Sequence, residues 1–427
     1  MIAPARRASV DALQLIEAGN LDLGAAVAKV RVTLHDERDR SLLLEIVTGT
    51  LRMQGAIDYQ LASRVKRPLA RLDTAVLRVL RMSGFQLLYQ SRVPASAVIN
   101  DAVELTRRAG KTSAAGLTNA VLRALSRDRD ALSWPSRDDL AAHLSVVHSH
   151  PRWLVERWLA RYGADATEAW LRFNNEPPYM CLAVNRHLND RDTLMKELAG
   201  AGVETRPTMR AAHGLVVIEG RALSTAAFTE GRFLVQDEAS QLVGELAAAG
   251  SGARVFDLCA SPGGKTLALS AAPQTSLIVA SDVRAPRVRL LVRTVARCRV
   301  PNARVVYVPA AGPLPFADGA FDTVLVDAPC SGLGTVRRDP DIKWRRSAED
   351  LSVFAVAQGE LIRRAARLVR SGGTLVYATC SSEPEENGDV VAAFLAERPD
   401  YTQLGVHETL PFRDGLEAFF ATGLRRA

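Results

Sequence analysis

The stretch Val324–Thr335 (VLVDAPCSGLGT) limits what this chain can fold into more than any other. Its apolar run ends on Asp327, Pro329 interrupts it, and the thiol of Cys330 and two glycines follow. A short apolar run bounded in this way predicts a buried strand, and open α/β sheets bind ligands at the carboxyl ends of their strands. We therefore predict that Asp327 and Cys330 lie together at one edge of a sheet.

A second apolar run ends in the same manner fifty residues later, where Thr374–Ser382 (TLVYATCSS) carries Cys380. Two strand-end thiols beside a strand-end carboxylate form the predicted centre of the site. A lone cysteine is more often a small buried apolar residue, and we assign that role to Cys181, Cys298 and, largely, Cys259. An odd number of cysteines without a CxxC pair argues against a disulfide framework and against a zinc site, so we expect no metal.

A chain of 427 residues is too long for one core and suggests several domains. Helical periodicity over 1–132 predicts an all-α domain of seven short helices. The Pro, Ser and His content of 133–152 is typical of a linker, and 153–230 is predicted to be a small α+β unit. From 231 to 427, strands and helices alternate, which predicts a doubly wound α/β domain with a mostly parallel sheet.

Individual elements follow from the same patterns. Helices are predicted over Arg38–Arg52, Leu72–Tyr89, Ile99–Arg108, Asp190–Gly200, Ala285–Cys298 and Asp350–Val369. Strands are predicted at Tyr179–Asn185, Val203–Thr205, Leu215–Ile218, Arg254–Leu258, Leu277–Ala280, Arg304–Val308, Thr323–Val326 and Thr374–Ala378, with Ala418–Leu424 as an edge strand.

The net charge is positive, since Lys and Arg exceed Asp and Glu by 54 − 47 = 7. This favours an anionic partner, and nucleic acid is commoner than a membrane for such a chain; a merely solvated basic surface is the alternative. No apolar run reaches the ~18 residues of a membrane span, and no signal peptide is recognisable. We expect a cytoplasmic protein that does not bind membranes.

The loop after the first strand of the α/β domain, Asp257–Thr266 (DLCASPGGKT), allows three interpretations. A P-loop needs glycine five residues before Gly264, where Cys259 stands, and the GxGxxG pattern of dinucleotide sites is incomplete. S-adenosylmethionine binding is the third interpretation, because the strand-end carboxylate of Asp257 precedes a glycine turn. Asp282 ends the second strand, where an acid can hold ribose hydroxyls, and the two acids together favour a nucleoside cofactor.

Several of these motifs together resemble a known family. DLCASPGGKT, DAPCSG and YATCSSEPEEN are similar to the signature motifs of the Sun family of RNA cytosine-5 methyltransferases, and Phe233–Gln241 resembles the segment that leads into its catalytic domain. The stretches Glu45–Arg52 and Gly116–Arg123 resemble a NusB-like RNA-binding domain. The resemblance implies an all-α N-terminal domain, a small α+β middle unit that binds RNA, and a C-terminal α/β domain of the Rossmann-like class I methyltransferase fold.

The resemblance also implies roles for the strand-end residues. Carbon 5 of cytosine is too weak a nucleophile to attack a methyl sulfonium, and a thiolate adding at carbon 6 activates it. The family places this nucleophile at the position of Cys380, while Cys330 assists release of the enzyme. Asp327 would bond the N3/N4 edge of cytosine. DNA cytosine-5 enzymes are implied to use the Pro-Cys thiol itself, so the second thiol, Cys380, argues for RNA.

By the same resemblance, the glycine loop lines the methionine and ribose end of S-adenosylmethionine and Asp282 holds the ribose. Arg287 either assists there or is an ordinary helix-surface arginine. Family members often carry an adenine-contacting Asp where this chain has Val308–Ala311. The implied cofactor residues are Cys259, Ala260, Ser261, Pro262, Gly263, Gly264, Lys265, Asp282, Arg287 and Asp327.

A basic stretch, Arg337–Arg346, follows the DAPCSG motif. Cations interleaved with an aromatic ring suit phosphate contact and base stacking, so we predict RNA contacts by Arg337, Arg338, Lys343 and Trp344. The alternative is an exposed loop with one buried tryptophan.

The sequence thus predicts a monomeric S-adenosylmethionine-dependent RNA cytosine-C5 methyltransferase whose substrate is 16S rRNA. One alternative keeps this chemistry but acts on tRNA. Another, from a different class, is a non-catalytic RNA-binding or assembly factor that retains a vestigial methyltransferase domain.

Overall fold

The structure, a computed structural model, describes residues 2–427, which form eighteen α-helices and eleven strands. The helices are α1 (Pro4–Glu17), α2 (Leu23–Arg31), α3 (Glu37–Arg52), α4 (Gln54–Ala62), α5 (Thr74–Tyr89), α6 (Ala95–Arg108), α7 (Ala115–Arg127), α8 (Leu140–Val147), α9 (Arg152–Asn175), α10 (Arg191–Gly200), α11 (Ala226–Thr229), α12 (Glu238–Ala249), α13 (Gly264–Ser270), α14 (Ala285–Arg297), α15 (Ile342–Arg345), α16 (Ala348–Ala366), α17 (Gly388–Glu397) and α18 (Pro411–Asp414).

The strands form two separate sheets. They are β1 (Met180–Val184), β2 (Glu204–Pro207), β3 (Gly214–Glu219), β4 (Phe233–Val235), β5 (Arg254–Asp257), β6 (Leu277–Asp282), β7 (Ala303–Tyr307), β8 (Phe321–Asp327), β9 (Val369–Thr379), β10 (Tyr401–Thr409) and β11 (Phe419–Arg426). The chain divides into two compact units: one holds the residues up to Glu176 together with Val336–Arg346, and the other holds Pro177–Thr335 and Ser347–Ala427.

The first unit is helical, and the predicted seven helices of its N-terminal part are confirmed as α1–α7. Helix α3 begins where the Asp36 side chain accepts a hydrogen bond from the Arg38 amide, which satisfies one of the helix's unpaired N–H groups. Its residues Leu43, Ile46 and Val47 recur at three- and four-residue spacing and are fully buried in the core. The amphipathic pattern therefore sets both the helix and its orientation.

The remainder of the first unit contains α8, which lies within the predicted linker, and the long helix α9. Trp158 and Trp170 of α9 are fully buried and stack with ring centroids 4.1 Å apart. They lie on opposite sides of Gly163, whose positive φ interrupts the helix and lets its two parts pack against each other.

The second unit begins with a four-stranded antiparallel sheet in the order β2-β3-β1-β4, with α10 between β1 and β2. Strands β1, β2 and β3 correspond to the three predicted for the α+β unit, whereas β4 was not predicted and lies beyond residue 230. The other sheet has seven strands in the order β10-β11-β9-β8-β5-β6-β7. Strands β5–β9 pair in parallel with one another, which confirms the prediction of a doubly wound, mostly parallel sheet.

The prediction of an edge strand at the C-terminal side of the large sheet is wrong. The strand predicted at Ala418–Leu424 forms as β11, but it pairs with both β9 and β10 and is not an edge strand. The edge is β10, which the sequence did not reveal. Leu404 and Val406 of β10 are exposed, so its pattern of burial lacks the regular alternation that marks a strand.

Within residues 2–427 we find no helix whose length and apolar character would let it cross a membrane.

Candidate active site

The register of the large sheet brings the predicted site residues to one edge. Strand β8 lies between β5 and β9 and is parallel to both. Asp257 pairs in register with Leu325, and Asp327 pairs with Ala378, two residues before Cys380. The loops that follow β5, β8 and β9 therefore leave the sheet side by side, where doubly wound sheets bind their ligands.

The two strand-end thiols meet directly. Cys330 Sγ lies 3.2 Å from Cys380 Sγ, and both side chains are half-buried. The hydrogen bond from Cys380, burial and the negative charge of nearby groups together hold the pKa of Cys330 well above its ordinary value. Cys330 therefore stays protonated where it contacts Cys380.

Asp327 is paired with Lys265, a contact that the sequence analysis did not predict. Lys265 Nζ donates to Asp327 Oδ2 at 2.6 Å and to Ser240 Oγ at 3.0 Å. Burial by itself lowers the pKa of Lys265, but the Asp327 carboxylate outweighs this and the pKa is raised. The ammonium thus stays charged and fixes the orientation of Asp327. Ser240 belongs to the Phe233–Gln241 segment, whose resemblance to the family was the signal that could have found it.

The glycine loop after β5 borders a cavity of about 370 Å³, within the size range of small-molecule sites. Gly263 has φ +113°, a left-handed conformation that favours glycine, and a Cβ on Gly264 would meet the end of the Gln236 side chain at 2.7 Å. The cavity is lined by Leu223, Phe228, Leu234, Val235, Gln236, Ser240, Asp257, Cys259, Ala260, Ser261, Pro262, Gly264, Lys265, Thr294, Arg297 and Asp327.

Asp257 is a buried carboxylate in the lining of this cavity. Its Oδ2 accepts a hydrogen bond from Thr266 Oγ1 at 2.7 Å, whereas among the described residues Oδ1 has no partner. Burial, with a smaller contribution from the Asp327 charge, raises the pKa of Asp257 to about 7. The unpartnered oxygen is buried beside the cavity, and a cationic ligand in the cavity would balance the charge of this carboxylate; S-adenosylmethionine carries both a sulfonium and an ammonium group.

Asp282 and Arg287 lie next to the glycine loop. The Asp282 carboxylate accepts hydrogen bonds from Arg287 Nε and from the Arg284 amide, each at 3.0 Å. Arg287 Nη2 in turn donates to the Ser261 carbonyl at 2.6 Å. Arg287 therefore connects the acid to the loop and is more than a solvated surface arginine. The proposed ribose contact by Asp282 stays a prediction.

The loop after β7 lacks the adenine-contacting Asp of the family, and Arg364 holds it in place. The Arg364 guanidinium donates to the carbonyls of Pro309, Ala310 and Gly312 at 2.8–2.9 Å. These contacts engage the backbone of the loop and fix its conformation.

The basic stretch after the DAPCSG motif is placed differently from our prediction. It belongs to the helical unit as Val336–Arg346, which we call the clasp segment. Lys343 is fully buried and donates to the Arg52 carbonyl at 2.9 Å, and Trp344 Nε1 donates to the Leu51 carbonyl at 2.6 Å. Burial, then repulsion from Arg52, holds the pKa of Lys343 well below its ordinary value.

Arg337 of the clasp segment is also buried, with its guanidinium 4.3 Å from the centre of the Phe173 ring. Arg338 is half-buried. In this structure Arg337, Lys343 and Trp344 hold the clasp segment to α3 and α9, and their side chains do not form the exposed phosphate-binding surface that we predicted. A cationic pattern in a loop does not reveal whether its side chains face solvent or a neighbouring helix.

Three family models match the chain, in an order that agrees with its architecture. They are described as NusB family, over residues 3–127; RsmF/B-like methyltransferase, ferredoxin-like domain, over residues 150–224; and 16S rRNA methyltransferase RsmB/F, over residues 246–421.

Curated relatives match along most of their length. Ribosomal RNA small subunit methyltransferase B of Pseudomonas putida is 36% identical over 403 residues, which cover 93% of this chain and 90% of the relative. The probable ribosomal RNA small subunit methyltransferase B of Bacillus subtilis is 34% identical, covering 88% of this chain and 84% of the relative. A putative methyltransferase of Mycobacterium tuberculosis is 33% identical and covers 99% of this chain and 96% of the relative.

Solved structures agree with the fold. The crystal structure of PH0851 aligns with a TM-score of 0.85 at 25% identity and covers 100% of this chain and 99% of its own. NSun6 from Pyrococcus horikoshii, solved with SFG, aligns with a TM-score of 0.57 at 19% identity over 66% of this chain and 99% of its own. The second similarity bears on the fold alone.

Proposed function

Because this chain belongs to the RsmB/F family of 16S rRNA methyltransferases, we propose that it transfers a methyl group from S-adenosylmethionine to carbon 5 of a cytosine in 16S rRNA. The observation that carries this proposal is the pair of thiols at the ends of β8 and β9, 3.2 Å apart and next to the Asp327–Lys265 ion pair. A protein that only bound RNA would not need two reactive side chains in contact.

Cys380 and Cys330 act at different stages of the proposed reaction. Cys380, as the thiolate, adds to carbon 6 of cytosine, and the electron pair of the C5–C6 double bond makes carbon 5 nucleophilic. When bound, S-adenosylmethionine supplies the electrophilic methyl group. For release, a base removes the hydrogen from carbon 5, the freed electron pair re-forms the C5–C6 double bond, and Cys380 leaves carbon 6 as the thiolate. Cys330 is that base in this proposal: it first loses its own proton to water, and its raised pKa makes the resulting thiolate a strong proton acceptor.

Asp327 orients the base in this proposal. Its carboxylate accepts a hydrogen bond from the exocyclic amine at the N3/N4 edge of cytosine, and Lys265 holds it in place. Asp257, with an unpaired oxygen in the cavity, balances the positive charge of the cofactor. The cytosine must leave its stack to reach Cys380, which costs less in single-stranded or locally open RNA.

A methyl-transfer assay tests the proposal directly. Labelled S-adenosylmethionine is incubated with the full chain and either protein-free 16S rRNA or bulk tRNA, and the products are digested to nucleosides. We expect labelled 5-methylcytidine from 16S rRNA alone. Label in tRNA alone would overturn the substrate, and label in neither RNA, together with no cofactor binding, would favour the non-catalytic binding factor.

The cytoplasmic location and the monomeric state expected from the sequence stay predictions. The net charge of +7 supports an RNA partner but does not identify it.

A further inference from the structure

Glu386 is a fully buried carboxylate that does not line the cavity bordered by the glycine loop. It occupies a short turn, Pro384–Glu386, between β9 and α17. Burying a carboxylate raises the free energy of the folded state unless hydrogen bonds replace those it made with water. The hydrogen-bond partners of Glu386 therefore indicate its role. They come from both loops that carry the reactive thiols.

The loop of Cys330 is bound through the next residue. The Ser331 amide donates to Glu386 Oε1 at 2.7 Å, and the Ser331 hydroxyl donates to Oε2 at 2.5 Å. A carboxylate that accepts both a backbone and a side-chain hydrogen bond from one residue fixes the position of that residue's backbone. The Cα of Cys330 is therefore constrained from its C-terminal side.

The loop of Cys380 is bound in the same way. The Ser381 hydroxyl donates to Oε2 of Glu386, the oxygen that also binds Ser331. The neighbouring Asn387 accepts a hydrogen bond from Thr379 and donates to the Ser381 carbonyl at 2.9 Å. Residues on both sides of Cys380 are thus tied to one turn.

Gln358 of α16 completes the arrangement from a third direction. Its Nε2 donates to Glu386 Oε1 and to the Pro329 carbonyl, each at 3.0 Å, and the side chain is 1% exposed. Pro329 directly precedes Cys330, so Cys330 is held on both sides, as Cys380 is.

We propose that Glu386 is a positioning residue for methyl transfer, which sets the contact between Cys330 and Cys380 by holding the residues that flank both in one hydrogen-bond network. This inference rests on the cysteine roles of the proposed function. Neither thiol touches the carboxylate, so Glu386 acts through Ser331, Ser381 and Gln358. Misplacement of reacting groups by about 1 Å can cost on the order of a hundredfold in rate.

The charge of Glu386 adds to its geometric role. After the hydrogen bond with Cys380, burial and the Cys380 charge, the Glu386 carboxylate further raises the pKa of Cys330. The negative charge of Glu386 therefore favours the protonated form of Cys330.

The test compares Glu386→Gln with Glu238→Gln, since Glu238 is also a buried glutamate that accepts backbone hydrogen bonds, here from Arg210 and Ala211. We expect Glu386→Gln to lower kcat by about a hundredfold with KM for RNA and cofactor within about twofold. Glu238→Gln should lower the melting temperature comparably but keep kcat within about twofold. Unchanged kcat in Glu386→Gln, or an equal loss in both variants, would overturn the inference.

A second measurement separates this inference from the proposed function. The azo compound diamide oxidises two adjacent thiols to a disulfide and is itself reduced to the hydrazine, so the rate of Cys330–Cys380 coupling, followed by peptide mapping, reports how the thiols are held. We expect this rate to fall at least about fivefold in Glu386→Gln and to be unchanged in Glu238→Gln. If the wild type makes no 5-methylcytidine, the proposed function fails, while this rate still decides the role of Glu386.

Variants of the two serines cover the case in which Glu386→Gln does not fold. Ser331→Ala and Ser381→Ala each remove one hydroxyl that donates to Glu386 and leave the carboxylate in place. We expect both to lower kcat, with KM unchanged, and Ser331→Ala and Ser381→Ala together to lower it further. Full activity in the double variant would contradict the inference.

Discussion

Cys330 and the clasp segment are separated by only a few residues in the sequence, yet the structure places them in different environments. Cys330 and Cys380 meet at the edge of a sheet beside a cavity. The clasp segment, which starts at Val336, is packed into the helical unit, and its Lys343 is fully buried. The structure brings the predicted residues of the first region together, whereas in the second region it buries Arg337 and Lys343, which were predicted to contact RNA.

Asp257 and Lys343, two buried ionisable groups, show the same difference between the sheet edge and the clasp segment. Burial shifts each toward its neutral form, raising the pKa of Asp257 and lowering that of Lys343. Asp257 borders a cavity and keeps an unpaired oxygen, so a ligand can change its charge state. Lys343 donates to the backbone of α3 and lies next to Trp344, so its lowered pKa is a consequence of packing. A perturbed pKa indicates function only where a ligand can reach the group.

The largest expected effect is the loss of methyl transfer when Cys380, at the sheet edge, is replaced. Cys380→Ala should reduce methyl transfer by more than about a thousandfold, because the neighbouring thiol of Cys330 is held protonated and does not replace it as the nucleophile at carbon 6. RNA affinity should stay close to that of the wild type, which a filter-binding titration checks. Cys298→Ala is the control, since that thiol is buried away from the cavity. Retained turnover in Cys380→Ala would remove the nucleophile assignment.

Cys330→Ala should stop turnover at a different stage. Addition by Cys380 and methyl transfer would proceed, but release would be blocked, so a covalent protein–RNA adduct should accumulate in the presence of S-adenosylmethionine. Denaturing gel electrophoresis detects the adduct as a band that ribonuclease removes. The double variant, with both Cys330→Ala and Cys380→Ala, should form none. Normal turnover without any adduct would contradict the role of Cys330 in release.

The expected effect of Asp257 on the affinity for S-adenosylmethionine is of intermediate size. With a pKa of about 7, Asp257 is about one tenth ionised at about pH 6 and about nine tenths ionised at about pH 8. Affinity for cationic S-adenosylmethionine should therefore rise about tenfold between these pH values, measured by calorimetry. The uncharged sulfur of S-adenosylhomocysteine should show little such change, and Asp257→Asn should remove the difference. Equal pH dependence of the two ligands would count against the contact.

The raised pKa of Asp257 also makes the stability of the ligand-free protein decrease as the pH rises. The pKa of Asp257 is raised above the value of about 3.9 in the unfolded chain. Its contribution to stability is therefore fully present below about pH 4 and is lost as the pH rises through about 7. Asp257→Asn should flatten this part of the profile of melting temperature against pH.

The smallest expected effect belongs to the clasp segment. Lys343→Met should change the free energy of unfolding by no more than about 1 kcal/mol, because loss of one hydrogen bond is offset by removal of a buried amine. RNA affinity and its dependence on salt should not change, since the side chain is fully buried. Arg345→Met, which removes an exposed cation of α15, is the matched control. A weaker salt dependence in Lys343→Met alone would restore the predicted phosphate contact.

Much of the architecture could be predicted because it depends on local patterns. The apolar run ending at Asp327 is a buried central strand, and the periodicity of the first 132 residues gives seven helices. The turn glycines of the cofactor loop also follow from the backbone geometry they permit. Strand β10 escaped prediction because its exposed residues break the expected alternation.

The sequence by itself determined which reactive groups stand at the ends of β8 and β9, since parallel strands deliver their C-terminal residues to one edge. Only the tertiary structure decided that the thiols of these strands touch, that Lys265 pairs with Asp327, and that Glu386 binds both cysteine loops. It also decided that Lys343 is buried rather than exposed. Burial, charge pairing and contact between residues far apart in the chain depend on packing, which periodicity and spacing do not encode.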